Sequence, residues 1–402
     1  QRLARHGFVT TPYLRDCAAD TAAELMTDAG LAARFLPGGA AIAPGTRLVQ
    51  EDTARTLESV AREGAAALTH GALGQALIAE IARRGGIMTA ADLASVRVIE
   101  RAPITGTYRG HEVHGAPPPS SAGVHVTQML NLMERHDVAA MGFGTPDTAH
   151  LMAEAMKIAF ADRAVSTADP AFVDVPVERL TSKAYAATRG AEIDMGRTRA
   201  WGPGVAAGES HNTTHVTVVD ADGNVVAATQ TVNDLFGAAS MVPGMGVIAN
   251  NYMFNFDPRP GKTLSIQPGK RVFTSMAPTI VTQGGRFRFA LGLPGALRIF
   301  PSAFQTILAM IDHGLSPQEA VEAPRLWTEG GVVELEPGYA DLAGPLAARG
   351  HTPVHVKRIA GGTSLVALGK DGLLTGAACW RADGTPVGIA GGLARAGVRF
   401  ST

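Results

Sequence analysis

The chain is poor in the features that settle a class at once. Two cysteines in 402 residues, Cys17 and Cys379, are too few for a disulfide framework, and they fit either redox compartment. Charged residues make up 18% and balance to a net charge of −1, which argues against nucleic acid or an anionic membrane as the main partner. No apolar run approaches the ~20 residues of a membrane-spanning helix. The twelve histidines lie scattered, without HExxH or CxxC spacing, so structural histidines are the stronger reading and no metal or cofactor is expected. Gly244-Met245-Gly246 lacks the strand–GxGxxG–helix context of a nucleotide site and reads as a turn.

What remains is a large, well-packed chain with 46% hydrophobic residues. Residues 1–110 read mainly as helices: Thr53–Glu63, Leu73–Arg84, and one opening near Met88 with Thr89 as N-cap. Arg101–His114 reads as a strand and turn. Pro117–Ser121 is a loop leading into a helix around His125–Arg135. Asp147–Ala164 has the spacing of a long amphipathic helix, and Val173–Leu180 reads as a turn. Pro278–Leu291 and Gly362–Trp380 form hairpins around Gln283–Gly285 and Lys370–Gly372. Gly292–Ala296 is a turn before a helix over Ile299–Asp312, and another helix starts at Pro317. Helices, hairpins and further helices predict an α/β layered sandwich.

The most informative stretch is His211–Gly237. Thr213–Val219 and Val225–Thr231 are rich in Thr and Val, and Asp220–Asn224 supplies turn chemistry between them. Pairing Val219 with Val225 sets Thr213 opposite Thr231, so two hydroxyls meet at the far end of the hairpin. Upstream, Ala187–Asn212 is loose, with no apolar period. Two readings stand side by side. One is an ordinary Thr-rich strand after a surface loop. The other is a cleavage site between Asn212 and Thr213, which would give Thr213 a free α-amine of pKa near ~8 to serve its own hydroxyl as base. Asn212-Thr213-Thr214 also matches a glycosylation sequon, which in so short a tripeptide is read as coincidence.

The segment TTHVTVVDADGNVVAATQTVNDLFG resembles the start of the small subunit of the γ-glutamyltranspeptidase family of self-processing N-terminal-nucleophile hydrolases. Further blocks follow in that family's order: Ala116–His125, His150–Arg163, Asn250–Phe256, Thr274–Val281 and Gly292–Arg298. The resemblance implies a four-layer αββα sandwich made from one precursor. Residues 1–212 would be the large-subunit portion, N-terminally incomplete and ending in the loose tract 187–212. Residues 213–402 would be the small subunit. Thr213 would attack the carbonyl of Asn212 to free itself, and afterwards attack substrate acyl groups.

The resemblance also assigns roles. Thr231 would orient the Thr213 hydroxyl, and Asn233, two residues on and facing the same side, would contact the substrate carboxylate. Gly295 and Ala296 match a Gly-Gly pair whose N–H groups form the oxyanion hole, with Ala in place of the second Gly. Thr274 and Ser275 match a Ser-Ser pair that binds a carboxylate. Tyr252 and Asn255 depart from the pattern, standing where transpeptidases typically carry Gln and Asp. That Asp pairs with the α-ammonium of a γ-glutamyl group, and Asn255 offers no charge. The connection Asp257–Lys270 also looks shorter than the segment that roofs many transpeptidases.

Both departures are similar to the cephalosporin (glutaryl) acylase branch and to oxamate hydrolase. The expected function is hydrolysis of amides of small acidic acyl groups, with γ-glutamyl transfer or glutathione hydrolysis as the alternative. A silent binding protein on the same scaffold is the third reading, disfavoured by retention of Thr213, Thr231 and the Gly295 turn. The expected partners are a small-molecule amide and the two fragments of one precursor, with a dimer of processed units left open. The Arg that grips the carboxylate in relatives is expected upstream of Gln1, and the compartment stays open between periplasm, exterior and cytoplasm.

Overall fold

The structure, a computed structural model, describes residues 1–201 and 213–389. They form two compact units, one of residues 1–101 and 232–251, the other of 102–231 and 252–389.

The first unit is helical, with short strands. Its core gathers Leu25, Leu31, Phe35, Ile42 and Leu48 with Phe236 and Met241. Asp28 caps the helix Ala29–Phe35 by accepting from Gly30 and Leu31 N–H, and it also accepts from Met241 N–H and pairs with Arg84. The expected helices are present as Glu51–Glu63, Ala72–Arg83 and Ala90–Ala94. Thr89 is the N-cap of the last, in a capping box with Asp92, so the free N–H groups of that turn are satisfied reciprocally.

The second unit is built on a six-stranded antiparallel sheet. Its strands are β1 (Ile104–Tyr108), β2 (His111–Gly115), β5 (Thr279–Gln283), β6 (Arg286–Gly292), β7 (Ser364–Leu368) and β8 (Leu374–Ala378), ordered β8-β7-β6-β5-β2-β1. Strands β3 (Thr214–Val219) and β4 (Val225–Gln230) form a separate hairpin. Helices α1 (Ala122–Met133) and α3 (Ile299–Ile311) lie against the large sheet, α2 (Pro146–Ser166) packs on α1, and all three share one core with the sheet's inward residues Val113, Val281, Phe289 and Leu291. The hairpin packs on strands of the same sheet, with His215, Thr217, Val219, Ala227 and Thr229 less exposed than the alternating Thr214, Val216, Val218 and Val226. Helices, large sheet and small sheet are thus stacked in layers.

The three expected hairpins and the turns between them are present. Three sequence readings need correction. Helix α2 is not amphipathic in the simple sense, because Thr148, His150, Glu154, Lys157 and Arg163 are buried along with its apolar residues. These polar groups meet partners from distant segments, which periodicity does not report. Val173–Leu180, read as a turn, includes the start of a short helix, Val177–Thr181. The tract expected to be loose from Ala187 begins in a helix, Lys183–Gly190, capped by Ser182. Its residues 202–212 lie outside the described ones. No helix among the described residues is long and apolar enough to cross a membrane.

Candidate active site

The hairpin register runs from Val219↔Val225 to Thr214↔Gln230, so Thr213 and Thr231 stand one step beyond the last registered pair. Asp220 builds the turn, its carboxylate accepting from the N–H groups of Asp222 at 3.0 Å and Asn224 at 2.8 Å, while Gly223 supplies a φ of 84°. Thr213 is partly buried, and Asn212 lies outside the described residues. Two residues into the strand, the His215 ring exchanges hydrogen bonds with the hydroxyls of Thr229 (2.7 Å) and Thr217 (2.9 Å). Burial pushes His215 down to about 4, so the ring is neutral near pH 7. It lies against Gly292, where a Cβ would come within 2.2 Å of the ring. That close approach needs glycine, and it fixes the Thr213 end of the hairpin over the end of β6.

Strand β6 then runs directly into the Gly295–Ala296 turn, at the same end of the sheet. Gly295 has φ 138°, and a Cβ there would meet the Cβ of Ala360 at 2.4 Å. Ala296 has φ 55° and is buried. An L-residue in this left-handed region costs on the order of 1–2 kcal/mol. Alanine stands here in the place of the family's second glycine. The turn accepts it at the cost of that strain, and its N–H remains a donor. The turn is held from behind: Gly361 N–H donates to the Pro294 carbonyl at 2.9 Å, and Arg325 donates to the carbonyls of Ile359 and Gly361.

Thr274 and Ser275 are stitched to the loop before α1. Thr274 N–H donates to the Pro119 carbonyl at 3.1 Å, and the Thr274 carbonyl accepts from Ser121 N–H (2.9 Å) and Ser121 Oγ (3.1 Å). Tyr252 opens a 3-10 turn, Tyr252–Asn255, and its hydroxyl lies 3.5 Å from Thr274 Oγ1. Asn255, in the same turn, is 3% exposed, so whatever it faces is desolvated. The structure thus brings Tyr252 up to Thr274 and sets Ser275 beside it. Two residues that sequence reading missed join them: Arg163, at the end of α2, donates to Ser275 Oγ (2.9 Å) and to Ser121 Oγ (3.1 Å). Both lie inside recognised blocks, but nothing in their local pattern marks them.

Asn233 belongs to the other unit. Strand β4 ends at Gln230 and Asn233 takes φ 79°, so the two-residue alternation that put it on the face of Thr231 does not extend that far. Its amide lies 3.5 Å from the carbonyl of Asn251, whose own side chain bonds Asp234.

One further cluster has the composition of a metal site. His150, Glu154 and His351 place their ligand atoms within 4.8 Å of one another, all buried. The Lys157 ammonium sits among them, donating to Glu154 (3.1 Å), Thr198 and His351 Nδ1 (3.1 Å). Glu154 accepts from Thr198 and from the Trp201 indole (2.7 Å), while His150 bonds His351 (2.7 Å) and the Asp194 carbonyl (2.9 Å). Burial acts to raise the Glu154 carboxyl, but the Thr198 bond and the Lys157 charge prevail and hold it below the usual range. Burial and the nearby Lys157 push His351 down to about 4. Lysine therefore supplies the cation this carboxylate needs.

Comparison with known proteins identifies the family and the fold. The γ-glutamyltranspeptidase family model matches residues 1–389. The chain is 61% identical over 400 residues to the acylase ACY 1 proenzyme of Pseudomonas sp. (strain SE83), a match covering 99% of this chain and 72% of that one. It is 37% identical over 394 residues to the glutathione hydrolase proenzyme of Escherichia coli (strain K12), covering 94% and 68% respectively. Among solved structures, the cephalosporin acylase from Bacillus halodurans superimposes with a TM-score of 0.87 over 97% of this chain and 73% of that one, at 28% identity.

Proposed function

The chain belongs to the γ-glutamyltranspeptidase family, and from that premise we propose that Thr213 is the nucleophile with which it hydrolyses amides of small acidic acyl groups. The fold is the N-terminal-nucleophile hydrolase sandwich, and the enzyme falls in the acylase-like branch of the family.

In this reading the precursor cuts itself before Thr213. The freed α-amine takes the proton of Thr213 Oγ as the oxygen attacks the substrate carbonyl, with Thr231 orienting that oxygen. The N–H groups at Gly295 and Ala296 receive the developing oxyanion. Collapse expels the substrate's amine, which takes the proton back from the Thr213 α-ammonium, and leaves an ester on Thr213 that water opens with the α-amine again as base. Thr274, Ser275 and Tyr252 bind the far end of the acyl group. Support comes from the hairpin register and from the meeting of His215 with Gly292, which sets Thr213 and the turn at one end of the sheet.

The observation that carries the acyl preference is Asn255. It is buried and uncharged where a γ-glutamyl enzyme needs a carboxylate. Leaving a buried α-ammonium without its counter-ion costs on the order of 3–5 kcal/mol, roughly a hundredfold or more in affinity. A glutaryl group, or an oxo acid, has the carboxylate without the ammonium. The decisive test is kcat/KM for glutaryl against γ-glutamyl anilide. The glutaryl compound is expected to lead by about a hundredfold, and Asn255→Asp to narrow that ratio at least tenfold. A γ-glutamyl compound turned over better by the unaltered enzyme would overturn the assignment.

A further inference from the structure

The turn after β6 holds two successive residues at positive φ, Gly295 at 138° and Ala296 at 55°. Both are buried, and the N–H groups of both have no protein partner among the described residues. Buried N–H groups are almost always paired, so this pair points to a ligand oxygen. An alanine at φ 55° relaxes toward negative φ unless its flanks forbid it, and relaxation would swing its N–H away.

One flank is fixed by Gly361, whose N–H donates to the Pro294 carbonyl. The other flank is Arg298. Its N–H donates to the Gly295 carbonyl at 3.0 Å, and its side chain ends in a clamp. The guanidinium lies 4.0 Å over the ring of Trp327 and forks onto Glu334, with Nε on Oε2 at 2.8 Å and Nη2 on Oε1. Trp327 and Glu334 are register partners on the paired strands Leu326–Trp327 and Val333–Leu335. Trp327 is itself buried against Phe160 of α2, with ring centroids 6.0 Å apart. Arg298 is thus gripped by its face and by its edge, two residues after Ala296.

We propose that Arg298 is the positioning residue of the oxyanion turn: clamped by Trp327 and Glu334, it holds Ala296 at positive φ and keeps the N–H of that residue available to the developing oxyanion. The proposal rests on the reading of Gly295 and Ala296 as oxyanion donors. Arg298 acts through the turn and does not itself touch the substrate. Lysine cannot replace it, because a single ammonium cannot lie flat on the indole and fork onto both carboxylate oxygens at once.

The test uses processed enzyme and the anilide of whichever acyl group it prefers, with the free acid and the boronic acid of the same skeleton as inhibitors (glutarate and 4-boronobutanoate for glutaryl). Boron stands in for the acyl carbonyl carbon. It accepts Thr213 Oγ while the hydroxyl proton passes to the α-amine, and the resulting tetrahedral anion needs the oxyanion donors, which the free acid does not. Arg298→Lys should lower kcat on the order of tenfold to a hundredfold and weaken the boronate by a similar factor, with KM and the free-acid Ki within about twofold. Adding Ala296→Gly, which holds φ 55° without strain, should restore about tenfold of kcat, a rescue that lost packing would not show. If Arg298→Lys does not fold or does not cut itself, Glu334→Gln, which keeps the stack and weakens the fork, should lower kcat several-fold with the same pattern.

Equal losses on boronate and free acid, a rise in KM at constant kcat, or no rescue by Ala296→Gly would overturn the proposal. A boronate that binds the unaltered enzyme no better than the free acid sinks the oxyanion reading and this inference with it. A boronate that binds far better there, and equally well in Arg298→Lys or Glu334→Gln, sinks the positioning role alone.

Discussion

Helix α2 carries two buried polar clusters, one near each end, and they are built on opposite plans. His150, Glu154 and Lys157 close on themselves. With His351, Thr198 and Trp201 they exchange bonds, and a single ammonium neutralises a single carboxylate. Two turns later Arg163 reaches hydroxyls that belong to a loop and to the Thr274–Ser275 segment. The first cluster ties the segment Asp194–Trp201 to the core. The second ties the loop before α1 to the segment that carries Thr274 and Ser275. Buried charge alone does not mark function. What distinguishes the two ends is which segments each cluster joins to the helix.

The sharpest way to break this contrast is to open the closed cluster. Glu154→Ala leaves the Lys157 ammonium, 5% exposed, without its carboxylate. A loss of about 3–5 kcal/mol of stability is expected by urea denaturation. The glutaryl KM of whatever enzyme folds should be unchanged. A large KM effect with little loss of stability would place this cluster in the site and erase the distinction.

A smaller effect is expected where the hairpin meets the sheet. Gly292→Ala puts a methyl group 2.2 Å from the His215 ring, and overpacking of this kind costs about 1–3 kcal/mol. Because the strain falls two residues from Thr213, self-cleavage should slow by more than the loss of stability explains. A time course of fragment appearance measures it, and a normal rate would uncouple His215 from the nucleophile.

The gentlest test is pH. His215 and His351 are held down to about 4 in the folded protein, chiefly by burial, against about 6.5 in the unfolded chain. Between those values the unfolded state binds more protons, so stability rises with pH there. The histidine contribution is fully present above pH 6.5 and is lost as pH falls toward 4. The urea midpoint should decline across that window, and a flat profile would contradict the burial of both rings.

Much of this was legible in the sequence where a local rule dictates structure. The central hairpin was readable to its register, because period-two alternation and the Asp220–Asn224 turn leave little freedom. Thr89 was readable as a cap for the same local reason. Two of the misreadings are tertiary. Helix α2 looks amphipathic until His351 and Thr198 arrive to satisfy its polar residues. Arg163 looks like a helix-terminal surface arginine until Ser275, 112 residues on, meets it. Asn233 leaves the strand alternation through a left-handed backbone that asparagine tolerates, and spacing alone did not report it.

The central claim is that Thr213 becomes the first residue of a separate fragment. Intact mass under denaturing conditions, with N-terminal sequencing of the smaller product, tests it directly. The account predicts two fragments, the smaller beginning Thr-Thr-His-Val, and a single uncut chain from Thr213→Ala. An uncut wild-type chain after prolonged incubation, or a fragment beginning elsewhere, would contradict it.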